Sequence, residues 1–122
     1  MSTATMRTAT EADFLAVGCQ DAMYLLYPNG LSFAVEDPQG LVGVGGITFD
    51  DFMAWWGMAP GVSAMRLRPL IWGFKALDVR WLQAYVLEGD TVGLRFAQRL
   101  GFQPRGRVGR DERWWTRMVM ER

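Results

Sequence analysis

Glu88-Gly89-Asp90-Thr91-Val92-Gly93-Leu94-Arg95-Phe96-Ala97-Gln98-Arg99-Leu100-Gly101-Phe102 reads as one helix with its own start and stop. Asp90 is a residue type that caps helix N-termini by accepting a main-chain hydrogen bond. Gly101 suits the left-handed residue that commonly follows a last helical turn. Between them Val92, Leu94, Phe96, Ala97 and Leu100 supply the apolar positions of an amphipathic helix. The residues just before, Trp81-Leu82-Gln83-Ala84-Tyr85-Val86-Leu87, are apolar and aromatic, with the length and content of a strand. The order is strand, cap, helix, and the remaining elements can be placed around it.

The chain has 122 residues, half of them apolar, which fits a single domain over residues 1–122 that buries a core without disulfides. No apolar run reaches membrane-spanning length, and Met1-Ser2-Thr3-Ala4-Thr5 lacks the basic and apolar regions of a signal peptide, so a soluble, cytoplasmic protein is expected. Cys19 is the one cysteine and cannot form an internal disulfide. With no histidine in the chain, a metal site lacks its usual ligands, and Ser-His or Cys-His nucleophilic chemistry is excluded. A general base must then be a carboxylate, a tyrosine, a water or a backbone group.

The zero net charge hides a polarity. Residues 1–60 carry one cation against seven anions, and residues 61–122 carry twelve cations, eleven of them arginine, against six anions. Two readings follow: the halves neutralise each other within one fold, or the arginine-rich half meets an anionic ligand or partner through planar, bidentate contacts.

Along the chain, Met6 to Ala9 predicts a first strand. Thr10-Glu11-Ala12-Asp13 has the form of a capping box and starts a helix to about Ala22, with Phe14, Val17 and Cys19 or its neighbours on the buried stripe. Pro28-Asn29-Gly30 signals a turn. Strands are expected over Leu31 to Glu36 and Leu41 to Phe49, joined by the turn Asp37-Pro38-Gln39-Gly40. Gly43, Gly45 and Gly46 mark a bulge or a close backbone crossing rather than a phosphate loop, because no helix follows them. Asp50-Asp51 turns the chain into a strand from Phe52 to Met58, whose adjacent Trp55 and Trp56 face opposite sides. Ala59-Pro60-Gly61 ends that strand, and a helix from about Arg68-Pro69 to Leu77 places proline in a first turn. Gln103 to Val108 and Arg113 to Met120 form a last hairpin about Gly109-Arg110-Asp111-Glu112.

This succession of elements, with the Asp90 cap and the terminal Leu100-Gly101-Phe102, resembles the GNAT family of acetyl-CoA-dependent N-acetyltransferases with its second helix shortened. The small size, the lone N-terminal helix and the spacing of Asp90, Arg95, Phe96 and Gly101 also look like the reduced GNAT-like proteins of bacteriophages. The fold class implied is α/β, an α+β mixed sheet with helices on both faces, in the GNAT acyl-CoA N-acyltransferase fold.

The resemblance implies acetyl-CoA as cofactor, its pantetheine arm along a strand that splays near Met58 and its pyrophosphate at the start of the next helix, where main-chain N–H groups favour anions. Met58-Ala59-Pro60 matches the family's strand end. The glycine-rich part of the motif does not match, because Gly61-Val62-Ser63-Ala64-Met65-Arg66-Leu67-Arg68 carries side chains there. Arg66 and Arg68 either replace the bare amides as phosphate ligands or close the site. Cofactor contacts are accordingly expected at Trp56, Met58, Ala59, Arg66, Arg68, Asp90 and Phe96. Many family members place a tyrosine four residues before the Gly-Phe pair as the acid for the departing thiolate, and Ala97 stands there in this chain. For the base, the candidates at strand ends are Asp50, Asp51, Glu36 and Glu88, with Tyr85 beside the implied cleft.

Three functions fit. One is acetyl transfer to an amine of a protein or small molecule, an acidic N-terminal half suiting a cationic acceptor. Another is a catalytically inert GNAT-fold phage protein that serves as a virion or host-factor-binding component, with tryptophan and arginine as anchors. The third is nucleic-acid binding through Arg105, Arg107, Arg110, Arg113 and Arg117, against which the overall neutrality argues. Six tryptophans and eight methionines in so short a chain point to a homodimer or larger assembly.

Overall fold

A computed structural model describes residues 4–18 and 29–121. They fall into two compact units, Met1–Leu77 and Asp78–Arg122.

The first unit holds strand β1 (Thr5–Thr8), helix α1 (Glu11–Ala16), strands β2 (Gly30–Asp37), β3 (Gly40–Thr48) and β4 (Ala54–Met58), a 3₁₀ helix (Ala64–Leu67) and helix α2 (Arg68–Ala76). The strands form one antiparallel sheet in the order β1-β2-β3-β4. Alternation along the strands sends Ala34, Val44 and Trp55 to the face where α1 packs and Phe33, Gly45 and Trp56 to the other. On the first face Phe14 of α1 lies 5.6 Å from Trp55, over a cluster of Ala9, Ala34 and Val44. On the second, Phe74 of α2 meets Phe33 and Trp56 edge-on at 5.1 and 6.0 Å. The two adjacent tryptophans thus face opposite sides, as the sequence predicts, and each meets a helix there.

The β3 glycines are what let α2 approach. A Cβ on Gly45 would stand 2.6 Å from the Phe33 ring and 2.7 Å from that of Phe74, and one on Gly43 would stand 2.6 Å from the carbonyl oxygen of Gly57. They mark close crossings, not a ligand loop.

Most boundaries shift by a residue or two from expectation, and two of the differences have a visible cause. Helix α1 ends at Ala16 because Gly18 takes a left-handed conformation (φ 76) and donates its N–H to Leu15 O at 3.0 Å. Cys19, the rest of the expected helix to Ala22 and the turn residue Pro28 lie outside the described residues. Strand β4 starts at Ala54 rather than Phe52, since Phe52 itself has positive φ (52) in the turn.

The second unit holds β5 (Trp81–Leu87), α3 (Thr91–Leu100), β6 (Gln103–Arg110) and β7 (Arg113–Glu121), its sheet ordered β5-β7-β6 and antiparallel throughout. Leu82, Ala84, Val86, Met118 and Met120 are buried on one face of it. Helix α3 packs on β5 and buries Gly93, Phe96, Ala97 and Leu100, an i, i+3, i+4, i+7 set. Val92, expected on that stripe, is 59% exposed and Gly93 takes its place. Gly101 ends the helix at φ 104. Among the described residues no helix is long and apolar enough to cross a membrane.

Candidate functional site

In the first unit the relevant geometry begins on β4. Ala59 donates its N–H to Val42 O at 2.9 Å, and Thr48 donates to Met53 O at 3.0 Å, which fixes the phase of the β3–β4 ladder. Antiparallel pairing alternates inward and outward main-chain groups, so those of Trp56 and Met58 point away from β3, at the outer edge of the sheet. Ala59 turns its N–H inward. The Trp56 indole belongs to the α2 face, and Met58 is half-buried at the strand end.

After Met58 the chain passes through Ala59-Pro60-Gly61-Val62-Ser63 into the 3₁₀ helix and α2. A hollow of about 700 Å³ opens there, between the β2–β3 turn (Asp37, Pro38) and the helix entry (Met65, Arg66, Arg68, Trp72). Arg66 is not a bare cation in it. Its Nε and Nη2 donate to the two carboxylate oxygens of Asp37 at 2.6 and 2.8 Å, a bidentate pair bridging the turn to the helix entry. Hydrogen bonding from Arg66, outweighing desolvation and helped by the Gln39 N–H, holds the Asp37 carboxyl below its usual range, and the Arg66 guanidinium is raised in turn. Arg68, the first residue of α2, is exposed at the same hollow.

Asp50 and Asp51 are exposed in the β3–β4 turn, at the opposite end of β4, a strand whose five residues span about 16 Å. Burial works against ionisation of Asp51, but hydrogen bonds from the Thr48 hydroxyl and the Met53 N–H outweigh it and hold the carboxyl below its ordinary value. Such a carboxylate fastens the turn and is a weak proton acceptor near neutrality. Glu36 receives a hydrogen bond from Arg7 on β1.

In the second unit Tyr85 is half-buried opposite Arg117, on the sheet face away from Leu82 and Val86. Glu88 is clasped by Arg107, whose Nε and Nη2 donate at 2.5 and 3.0 Å, and the Arg107 guanidinium lies 4.2 Å from the Trp114 ring centre. Asp90 caps α3, accepting the Gly93 N–H at 2.9 Å. Phe96 is buried in the inward face of α3, and Ala97 is wholly buried. The expected set therefore divides: Trp56, Met58, Ala59, Arg66 and Arg68 are gathered around β4 and the α2 entry, Asp50 and Asp51 stand at the far end of β4, and Asp90 and Phe96 have full structural roles within α3. Sequence reasoning missed Asp37 as the partner of Arg66 and Trp72 as part of the hollow. The first pair is 29 residues apart, beyond any local pattern, and Trp72 carries only the weak signal of a large apolar residue off the buried stripe.

No family model matches the chain, and no curated protein matches it in sequence. Solved structures do match: the fold is that of the GNAT acetyltransferases. A chimera of spermidine N-acetyltransferase SpeG from Vibrio cholerae and hSSAT is 16% identical, with a TM-score of 0.68, covering 97% of this chain and 95% of its own. The spermidine/spermine N-acetyltransferase SpeG from Vibrio cholerae in complex with manganese ions is 15% identical at TM-score 0.66, over 97% and 92%. An IAA acetyltransferase from Bacillus cereus is 13% identical at TM-score 0.67, over 98% and 100%.

Proposed function

We propose that this chain, working as one domain, transfers an acetyl group from acetyl-CoA to the amine of a small cationic acceptor. The observation that carries the reading is the arrangement around β4. An edge strand turns the main-chain groups of Trp56 and Met58 outward, then runs out into a helix entry flanked by Arg66 and Arg68. The pantetheine arm would lie along that outer edge, its amides bonding to Trp56 and Met58. The phosphates would meet the α2 entry, where Arg68 offers a guanidinium. Acetyl-CoA supplies the thioester. The neutral amine would attack its carbonyl carbon, a C–N bond forming as the C–S bond breaks, and the proton lost by the nitrogen would pass through water to the departing thiolate. With Ala97 where a tyrosine acid would stand, proton delivery to the thiolate falls to water, which a good leaving group tolerates.

A second reading, a GNAT-fold protein that is catalytically inert, is favoured by one observation: Asp37 already occupies the fork of Arg66, which weakens it as a phosphate ligand. Calorimetric titration with coenzyme A, followed by thiol release from acetyl-CoA in the presence of spermidine, separates the two. Binding with turnover supports the transferase, and a titration without heat of binding removes it.

A further inference from the structure

Strands β6 and β7 form a ribbon whose tip runs past β5: the β5–β7 ladder stops at Trp115, while β6 pairs with β7 out to Arg113. Directly opposed residues share a face. Arg110 with Arg113, then Val108 with Trp115, then the Arg105–Gly106 bulge with Arg117, therefore line one side of the ribbon, the side away from the buried Met118 and Met120. That face presents a pair of arginines, a tryptophan and a second pair of arginines in line, the pairs about 14 Å apart along β7. Arg105, Arg110 and Arg113 are exposed, and Trp115 is half-buried, its indole N–H donating to Arg110 O at 3.2 Å. Little in the fold neutralises these cations. Among the described residues Arg105 donates to Gln103 Oε1 and Pro104 O and Arg117 to Gln83 Oε1, all neutral oxygens, and no carboxylate pairs with Arg110 or Arg113. Arg107, on the opposite face, is the one arginine of the ribbon clasped by an acid, Glu88. Like charges directly across a ladder destabilise it, and Arg110 faces Arg113 in that way. Five arginines against Asp111 and Glu112 leave residues 103–117 at +3. Whole-chain neutrality does not cancel this, because exposed charges are felt over about 8 Å at physiological salt. An anion laid across the ribbon would relieve the repulsion.

We infer that this face of the β6–β7 ribbon binds single-stranded nucleic acid, a base stacking on Trp115 while phosphates meet Arg110 and Arg113 on one side of it and Arg105 and Arg117 on the other. A nucleic-acid strand alternates charge with flat rings, as the ribbon does, whereas an acidic peptide matches the arginines alone. A base held in a duplex offers the indole no open face, which favours the single strand. Such binding does not require the acetyl transfer proposed above.

The test follows the fluorescence anisotropy of labelled oligo-dT and oligo-U, each about fifteen nucleotides long, with the full chain between about 0.05 and about 0.3 M salt. Log affinity should fall against log salt with a slope of about −3, four phosphate contacts at about 0.7 each. Arg110→Ala combined with Arg113→Ala should make that slope shallower by about 1.4 and weaken binding about tenfold near 0.1 M salt. Trp115→Leu should weaken it about tenfold with the slope unchanged, and Trp115→Phe should keep most of the affinity. Melting temperatures confirm that the variants fold; if Trp115→Leu does not, the arginine variant and the competition below still decide. Binding of either oligonucleotide with these dependences supports the site, and the tighter one tells DNA from RNA. No binding at about 0.05 M salt overturns it, as does binding that survives the double arginine substitution. Polyglutamate that displaces the probe as well as unlabelled oligonucleotide does would overturn it in favour of an acidic protein segment. Tighter binding to a duplex of equal charge, indifferent to Trp115→Leu, would overturn it too.

Discussion

Asp13 shows how one side chain can tie a strand to a helix start. Its carboxylate accepts from Arg7 Nη1 and Nη2 at 2.6 and 2.8 Å, and from the Thr10 N–H and hydroxyl at 2.7 and 3.0 Å, while being nearly buried. The Arg7 hydrogen bonds, with those from Thr10, outweigh desolvation and pull the carboxyl down from 3.8 to about 2. A carboxyl depressed by folding stabilises the native state at every pH above its unfolded value, and that contribution is lost as pH falls through the folded value. For Asp13 it amounts to about 2 kcal/mol at neutrality, lost between about pH 4 and pH 2. Asp13→Asn should therefore lower stability by about 1–2 kcal/mol near pH 7 and flatten part of the acid loss. Urea midpoints across that window check it, and a variant whose acid profile parallels the wild type would refute the assignment. Part of the slope should survive in the variant, because Asp37 is also held low by its pairing with Arg66.

Two elements carry opposite kinds of constraint. On β3, Gly43 faces the Gly57 carbonyl so closely that an added methyl meets main chain, not a movable side chain. Gly43→Ala should cost about 1–3 kcal/mol as overpacking, seen as a lower denaturation midpoint with unchanged slope. The β6–β7 turn, by contrast, places Asp111 and Glu112 at φ 53 and 60, the left-handed pair of a two-residue hairpin that favours Asn-Gly. Glu112→Gly should stabilise by up to about 1 kcal/mol, and an unchanged or lower melting temperature would show that the turn is not under this strain. These elements also mark how far local pattern reaches. The bounds of β5 and the stop of α3 at Gly101 were legible because apolar run, cap and glycine agree within a few residues. The end of α1 was not, since its signal is one glycine against continuing apolar sequence. On α3 Phe96, Ala97 and Leu100 were legible as inward positions, whereas Val92 was misplaced, because the Asp90 cap fixes Gly93 on the inward side. At the candidate site Arg66 and Arg68 were legible as cations before a helix. The Asp37 clasp was not, because it joins two turns brought together only by the β2–β3 and β3–β4 pairings.

Over the whole molecule charge is unevenly shared: the unit Met1–Leu77 carries four cations and seven anions, the unit Asp78–Arg122 nine and six. Much of the first unit's charge is locally spent, Arg7 on Asp13 and Glu36 and Arg66 on Asp37. Asp50 and Asp51 remain side by side on an exposed turn, at the end of β4 away from the proposed phosphate contacts. On the proposed acetyl transfer, a cationic acceptor would meet an attractive field at that end and the anionic cofactor would be drawn to the Arg68 end, so that one strand would separate the two reactants by charge. Attraction between exposed charges is screened as the Debye length falls from about 30 Å in dilute salt to below 10 Å near physiological strength. If the chain acetylates a polyamine as proposed, the KM for spermidine should therefore rise several-fold from about 0.01 M to about 0.3 M salt, while that for an uncharged amine moves little. Asp50→Asn combined with Asp51→Asn should reproduce the rise at low salt and abolish further salt dependence, leaving acetyl-CoA binding intact. Initial rates over the two salt series measure this directly. A spermidine KM insensitive to both salt and the double substitution would mean that the acceptor enters elsewhere and that the turn carboxylates serve only the β3–β4 connection.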